Sequence, residues 1–194
     1  SGRRSPMAFS RKDGRLLFSH TPSRFAVGTF GGTYTRIDGD ILYNGTEKLF
    51  GYQVSNGNLV LLEYARRIAF TADRVFLLTG TQLASYDKAR WVEAGRKRLP
   101  YHQRLVQTEP VLNQLLNQRR SLQARQQPIP AQLQNNITQN QTQVDDAKAQ
   151  QQALVETLHE AGAWEIPCTA VDALLVSRNA IVAGTDGAVT AFAP

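Results

Sequence analysis

Two kinds of hydrophobic pattern alternate along the chain. Residues 25–91 and 165–194 carry short apolar runs, rich in β-branched and aromatic residues and separated by glycine-containing turns. Such runs read as strands and hairpins. Residues 103–162 are rich in Gln, Asn, Leu and Ala and hold no glycine before Gly162. Here the pattern follows a seam through Leu133, Ile137, Asn140, Val144, Ala147, Gln151, Leu154, Leu158 and Ala161, with steps of four and three. That spacing is the seam of a coiled coil. A second seam runs through Leu105, Leu112, Leu115, Arg119 and Leu122. Pro128 and Pro130 break the helix between the two seams and reverse the chain, and Gly162 ends the second helix. The pattern therefore predicts an antiparallel helical hairpin whose longer arm spans about 45 Å. Asn140, Gln151 and Arg119 place polar groups on the seam, and Ala147 is small. A seam this thin predicts a covering surface from the β region, a second copy or another protein.

The strand regions repeat. Three segments align without gaps: Ile41 to Tyr52, Val75 to Tyr86, and Ile181 to Phe192. Each is an apolar strand, a polar or glycine turn, and a strand that ends on an aromatic residue. The turn residues supply the positive φ that hairpins need. Each segment also has its own approach strand: residues 36–40, residues 68–74 and residues 171–179. Tyr52 and Tyr86 lie 34 positions apart, and Tyr86 and Phe192 lie 106 apart. The helical text accounts for the surplus in the second interval. Near-continuous apolar strands of this kind suit sheets covered on both faces.

The stretches from Asp38 to Val60 and from Arg178 to Ala193 resemble the PQQ-like (quinoprotein-type) β-propeller repeat. The general form of that repeat is a strand, a Gly-Thr-Asp-Gly-like turn, a strand, a Thr-Gly turn and a Trp. Residues 36–91 and 165–194 carry the resemblance. Leu61 stands near the place of the first Trp, and the second repeat reaches Trp91 without the glycine turn. The resemblance implies a mainly β fold: two to three blades of a partial propeller, with the antiparallel α-helical coiled-coil hairpin inserted. The implied organisation is an N-terminal edge segment at 1–35, blades at 36–95, the hairpin at 96–163, and a discontinuous blade at 164–194. By the same resemblance the protein is a non-catalytic interaction scaffold in an extracytoplasmic (periplasmic) setting, without cofactor. Its expected partner is another protein or a second copy, met through the hairpin or the open propeller edges. The residues assigned to the hairpin interaction are Leu105, Leu112, Leu115, Leu122, Leu133, Ile137, Val144, Leu154 and Leu158. The alternative is a fragment of a PQQ-dependent dehydrogenase whose adjacent Cys pair, catalytic Asp and calcium site lie outside this chain.

Composition narrows the picture. No apolar run is long enough for a transmembrane helix. The net charge is +6, and residues 96–125 hold Arg96, Lys97, Arg98, Arg104, Arg119, Arg120 and Arg125 against Glu109 alone. Only Tyr101 is nearby to stack on a base, so this cluster reads as a solvated helix face and no nucleic acid is expected. A single cysteine, Cys168, allows no internal disulfide. His20, His102 and His159 lack the spacing of a shared metal site, and no metal or catalytic set is expected. Asp38, Asp40 and Asn44 offer a small oxygen cluster for calcium, but they read instead as ordinary turn residues of a hairpin. Residues 28–32 form a glycine-rich stretch without the Lys and Ser/Thr of a phosphate loop. Sequons begin at Asn44, Asn136 and Asn140 and read as chance matches in Asn/Thr-rich text. Ser1-Gly2-Arg3-Arg4 and the close at Pro194 read as the cut edges of a longer protein.

Overall fold

The computed structural model describes residues 7–19, 34–45 and 47–193. His20 and the glycine-rich stretch 28–32 lie outside the described residues, as does Thr46 of the first sequon. The described residues form thirteen strands in four antiparallel sheets and two long helices. No closed barrel or ring of sheets is formed among them. The chain divides into two compact units: residues 1–96 with 156–194, and residues 97–155.

The first unit is built from up-and-down sheets. β1 (Met7–Phe9) and β2 (Leu16–Ser19) make a two-stranded hairpin. β3 (Tyr34–Asp38), β4 (Ile41–Gly45), β5 (Leu49–Gln53) and β6 (Leu59–Glu63) make a four-stranded sheet in chain order. β7 (Arg67–Phe70), β8 (Arg74–Leu78), β9 (Gln82–Asp87) and β10 (Trp164–Pro167) repeat that order. β11 (Ala173–Val176), β12 (Ile181–Thr185) and β13 (Ala188–Phe192) make a sheet of three. The middle strands explain the apolar runs, since β4 is buried at all five positions and β8 and β9 at four each. Residues buried on both faces need no polar alternation.

The ungapped repeat holds in two hairpins and slips in one. Val75 faces Tyr86 and Ile181 faces Phe192, yet Tyr52 faces Leu42 in place of Ile41. The paired ends of β4 and β5 enclose three residues, whereas the other two turns enclose even numbers. An odd turn shifts the facing pair by one position. Gly45 permits it: its φ is +155°, and a Cβ there would overlap the carbonyl of Lys48.

The first strands of the three larger sheets, β3, β7 and β11, lie side by side. Side chains tie them. The Tyr34 hydroxyl donates to the carbonyl of Ile68 and accepts from its N–H at 3.2 Å. Arg67 lies over the Tyr34 ring at 5.1 Å and donates from Nε to the Asp172 carbonyl at 2.7 Å. One cluster, with Tyr43, Leu49, Leu61, Ile68 and Trp91, fills the space under the first two sheets. A second, with Leu78, Leu83, Leu174 and Ile181, serves the third.

The helices differ from the sequence reading at their start. α1 (Lys88–Ala124) begins directly where β9 ends, well before the expected position 96. Asp87 caps it, accepting the Arg90 N–H at 2.9 Å. Trp91 is thus not the residue of a strand turn. It sits in the first turns of α1, almost fully buried, 5.9 Å from the Tyr43 ring, and donates to Glu63. α1 also runs through Pro100 and Pro110, each of which removes a helical N–H without ending the helix. It closes in a Schellman arrangement, with Gln126 at φ +55° and the Gln127 N–H on the Leu122 carbonyl at 2.9 Å. α2 (Ala131–Glu160) follows Pro130, and Gly162 at φ +78° stands just beyond its end.

In the second unit, residues 97–155, the two helices share one apolar seam. Leu105, Leu112, Leu133, Ile137, Val144 and Ala147 are buried in it, and Leu115 and Leu122 pack at its margin. Leu154 is half-buried, and Leu158 belongs instead to the core under the first two sheets. The assigned seam residues from Leu105 to Val144 therefore face each other. Lys148 and Glu109 add an exposed ion pair at 2.9 Å. Two polar atoms are buried without a partner, Arg119 Nε and Gln151 Nε2.

Candidate functional site

The turns between first and second strands place carboxylates at the rim of one cleft. β3 and β4 are joined through Gly39, at φ +57°, which lets the chain reverse between Asp38 and Asp40. β7 and β8 are joined through Thr71, Ala72 and Asp73, where the Thr71 hydroxyl donates to Asp73 at 3.0 Å. Asp40 and Asp73 each stand immediately before the second strand of their sheet. The Lys88 N–H bonds the Asp73 carbonyl at 2.8 Å, which brings the start of α1 to the same spot. The result is a cleft of about 550 Å³ lined by Asp38, Asp40, Asp73 and Asp87. Lys88 and Arg96 line it too, with apolar wall from Ile41, Ala89 and Val92.

The charges are partly spent. Lys88 Nζ lies 3.3 Å from Asp38, with both side chains about a quarter exposed, and also donates to the Thr71 carbonyl at 3.2 Å. Gln53 donates to Asp40 Oδ2, and Asp87 Oδ1 is used as the helix cap. Four carboxylates face two cations in a chain whose overall charge is positive. Tyr43 lines the cleft as well, and its hydroxyl is buried without a hydrogen-bond partner. Burial pushes its phenol well above the usual tyrosine range, Asp38 pushes it the same way, and Arg96 opposes them. The hydroxyl thus lies in the field of groups that line the cleft.

Asp38 and Asp40 flank the β3–β4 turn, and the calcium alternative does not gather its third member. Asp38 and Asp40 reach the cleft, but Asn44 does not join them. It is buried, and its Nδ2 donates to Thr35 Oγ1 at 3.0 Å and the Tyr34 carbonyl at 3.4 Å. A strand residue in the middle of a sheet satisfies its neighbours first. Among the described residues no three His, Cys, Asp or Glu side chains are grouped to hold a metal ion. His159 stands 3.7 Å from Glu165 and edge-on to Tyr86, and Glu165 also accepts from Tyr86 at 2.7 Å and Gln82 at 2.8 Å. Cys168 is a free, buried thiol. The sequons at Asn136 and Asn140 lie on α2, where Asn140 donates to the Asn136 carbonyl at 2.8 Å. Of the basic cluster, Arg96 alone lines the cleft. Sequence reasoning missed Asp73, Asp87, Arg96 and Tyr43 as neighbours; the ungapped repeat gave no signal for Asp73, because it sets Gly39 opposite Asp73 and Arg74 opposite Asp40. No helix among the described residues is long and apolar enough to cross a membrane. No protein-family model matches the chain, and no curated protein matches it.

Proposed function

We propose that the chain is a non-catalytic protein-interaction scaffold, with PQQ-like propeller blades as its platform and the inserted hairpin as the arm that docks a protein partner or a second copy. One observation carries this reading. β10 pairs with β9 residue for residue, from Trp164 opposite Ser85 to Pro167 opposite Gln82, although all of α1 and α2 lies between them in sequence. The sheet therefore closes as β3–β6 does without any insertion. An insertion that adds nothing to strand pairing, and that leaves Arg119 Nε and Gln151 Nε2 buried without partners, is available to another surface. The blade reading is supported by the repeated strand order and by β3, β7 and β11 lying side by side, as first strands around a common axis do. The extracytoplasmic setting belongs to the same proposal and rests on the resemblance.

The test is photo-crosslinking in cells that make the protein. A photo-reactive residue is placed at the exposed hairpin positions Val111 and Arg120, and at Asn56 and Arg178 on the sheets. Protein adducts, to another protein or to a second copy, are expected at the hairpin positions in clear excess. Adducts spread evenly over the four positions, or absent from Val111 and Arg120, sink the reading.

A further inference from the structure

We propose that the cleft between the β3–β4 turn, the β7–β8 turn and the start of α1 binds a primary alkylammonium group, such as the side chain of a lysine or the end of a polyamine. Three features of the cleft select that chemistry. Asp40, Asp73 and Asp87 each use one carboxylate oxygen in local hydrogen bonds, which leaves a second oxygen for a ligand. Tyr43, in the wall, has a buried hydroxyl with no partner. Buried polar atoms are nearly always paired, so an orphan beside a cleft marks a missing partner. Ile41, Ala89 and Val92 supply apolar surface against which methylene groups lie.

An ammonium fits this set better than its rivals. It brings three donors and no acceptor, matching carboxylate oxygens and a phenol oxygen, all of which accept. Anions are opposed by the carboxylates. A divalent cation needs several oxygens gathered around it, and no group of three is gathered among the described residues, whereas an ammonium is held by one or two carboxylate oxygens. Arg96 is exposed and lines the same cleft, and its charge acts on the Tyr43 hydroxyl. In this scheme Arg96 stands in for the ligand's cation and swings out when the ammonium enters. The site does not depend on the hairpin docking anything, so the two readings fail separately.

The experiment is a titration of the whole ¹⁵N-labelled protein, followed by NMR, with spermidine, with a Gly-Lys-Gly peptide and with its Nε-acetylated form. Shifts are expected at Asp40, Asp73 and Lys88 with the first two ligands, and none with the acetylated peptide. The tighter of the two amines tells whether a free polyamine or a protein lysine is the natural source. Tyr43→Phe, which removes only the unpartnered oxygen and keeps the ring, weakens the amine about tenfold. Asp73→Asn weakens it about fivefold, and Arg96→Gln strengthens it. Doubling the salt weakens binding to the original protein. The proposal is overturned if the acetylated peptide binds equally. It is also overturned if shifts scatter over Glu109, Asp145 and Asp146 as over the cleft, or if folded Tyr43→Phe binds unchanged.

Discussion

The two units are held together in different ways. In the sheet unit the middle strands bury side chains such as Leu49, Leu61 and Ile68 on both faces, while outer strands such as β3 and β13 stay largely exposed. In the hairpin the buried apolar cluster is one stripe of six residues, and most outer positions of both helices are polar and exposed. Strands pack through two faces, whereas a pair of helices packs through one. The sheet unit should therefore respond to the loss of any large buried side chain, and the hairpin chiefly to loss along its seam.

The largest effect follows from that. Trp91→Ala should cost about 3–5 kcal/mol, since it empties the space beside Tyr43 and leaves Glu63 without the indole N–H. Ile137→Ala, at the centre of the hairpin seam, should cost about 2–3 kcal/mol, because a two-helix seam relaxes around a gap more readily. Urea unfolding, followed by tryptophan fluorescence and by helical circular dichroism, checks both. Equal costs would mean that the hairpin core is as tightly determined as the sheets.

A smaller effect has an unexpected sign. Gly95 lies within α1, where alanine normally stabilises by about 1 kcal/mol. Yet a Cβ at Gly95 would stand 2.5 Å from Leu61 Cδ1, and Leu61 is fully buried. Overpacking costs about 1–3 kcal/mol, so Gly95→Ala should destabilise despite better helix propensity. A raised melting temperature for Gly95→Ala would show that Leu61 has room to move, against the tight packing assigned to this unit.

These residues also show what the sequence made legible. Strands and turns were readable because buried sheets write continuous apolar runs between glycines, and β4, β8 and β12 follow that text. The hairpin was readable from its seven-residue spacing. The start of α1 was not, because Asp87 both ends β9 and caps the helix, and no glycine or proline intervenes. Pro100 and Pro110 further disguise the helix, since each resembles a break. The half-turn slip at β4–β5 depends on one extra position, which composition cannot register. For the cleft, Asp38 and Asp40 were visible as turn oxygens. Asp87 and Arg96 were invisible, because they reach the cleft only through the direct passage from β9 into α1.

The smallest effects arise where each unit carries the same flaw, a buried polar atom without a partner: Tyr43 Oη in the sheets and Gln151 Nε2 in the hairpin. Such an atom costs about 1–3 kcal/mol. Tyr43→Phe and Gln151→Leu should each stabilise by about 1 kcal/mol, the latter by completing the apolar seam. The two gains separate in alkali. An unfolded tyrosine ionises near pH 10. Folded Tyr43 and Tyr52 hold their protons to higher pH, because burial disfavours the phenolate. Above about pH 10 the unfolded chain has lost protons that the folded chain keeps, so the stability present below that pH drains away as pH rises. The slope is about 1.4 kcal/mol per pH unit for each such tyrosine. Tyr43→Phe removes one contributor and should grow more favourable, relative to the original protein, from pH 10 to 11. Gln151→Leu carries no ionisable group and should give the same gain at pH 7 and pH 11. Urea midpoints at the two pH values decide it: a pH-independent gain for Tyr43→Phe would mean that its hydroxyl finds a partner in solution.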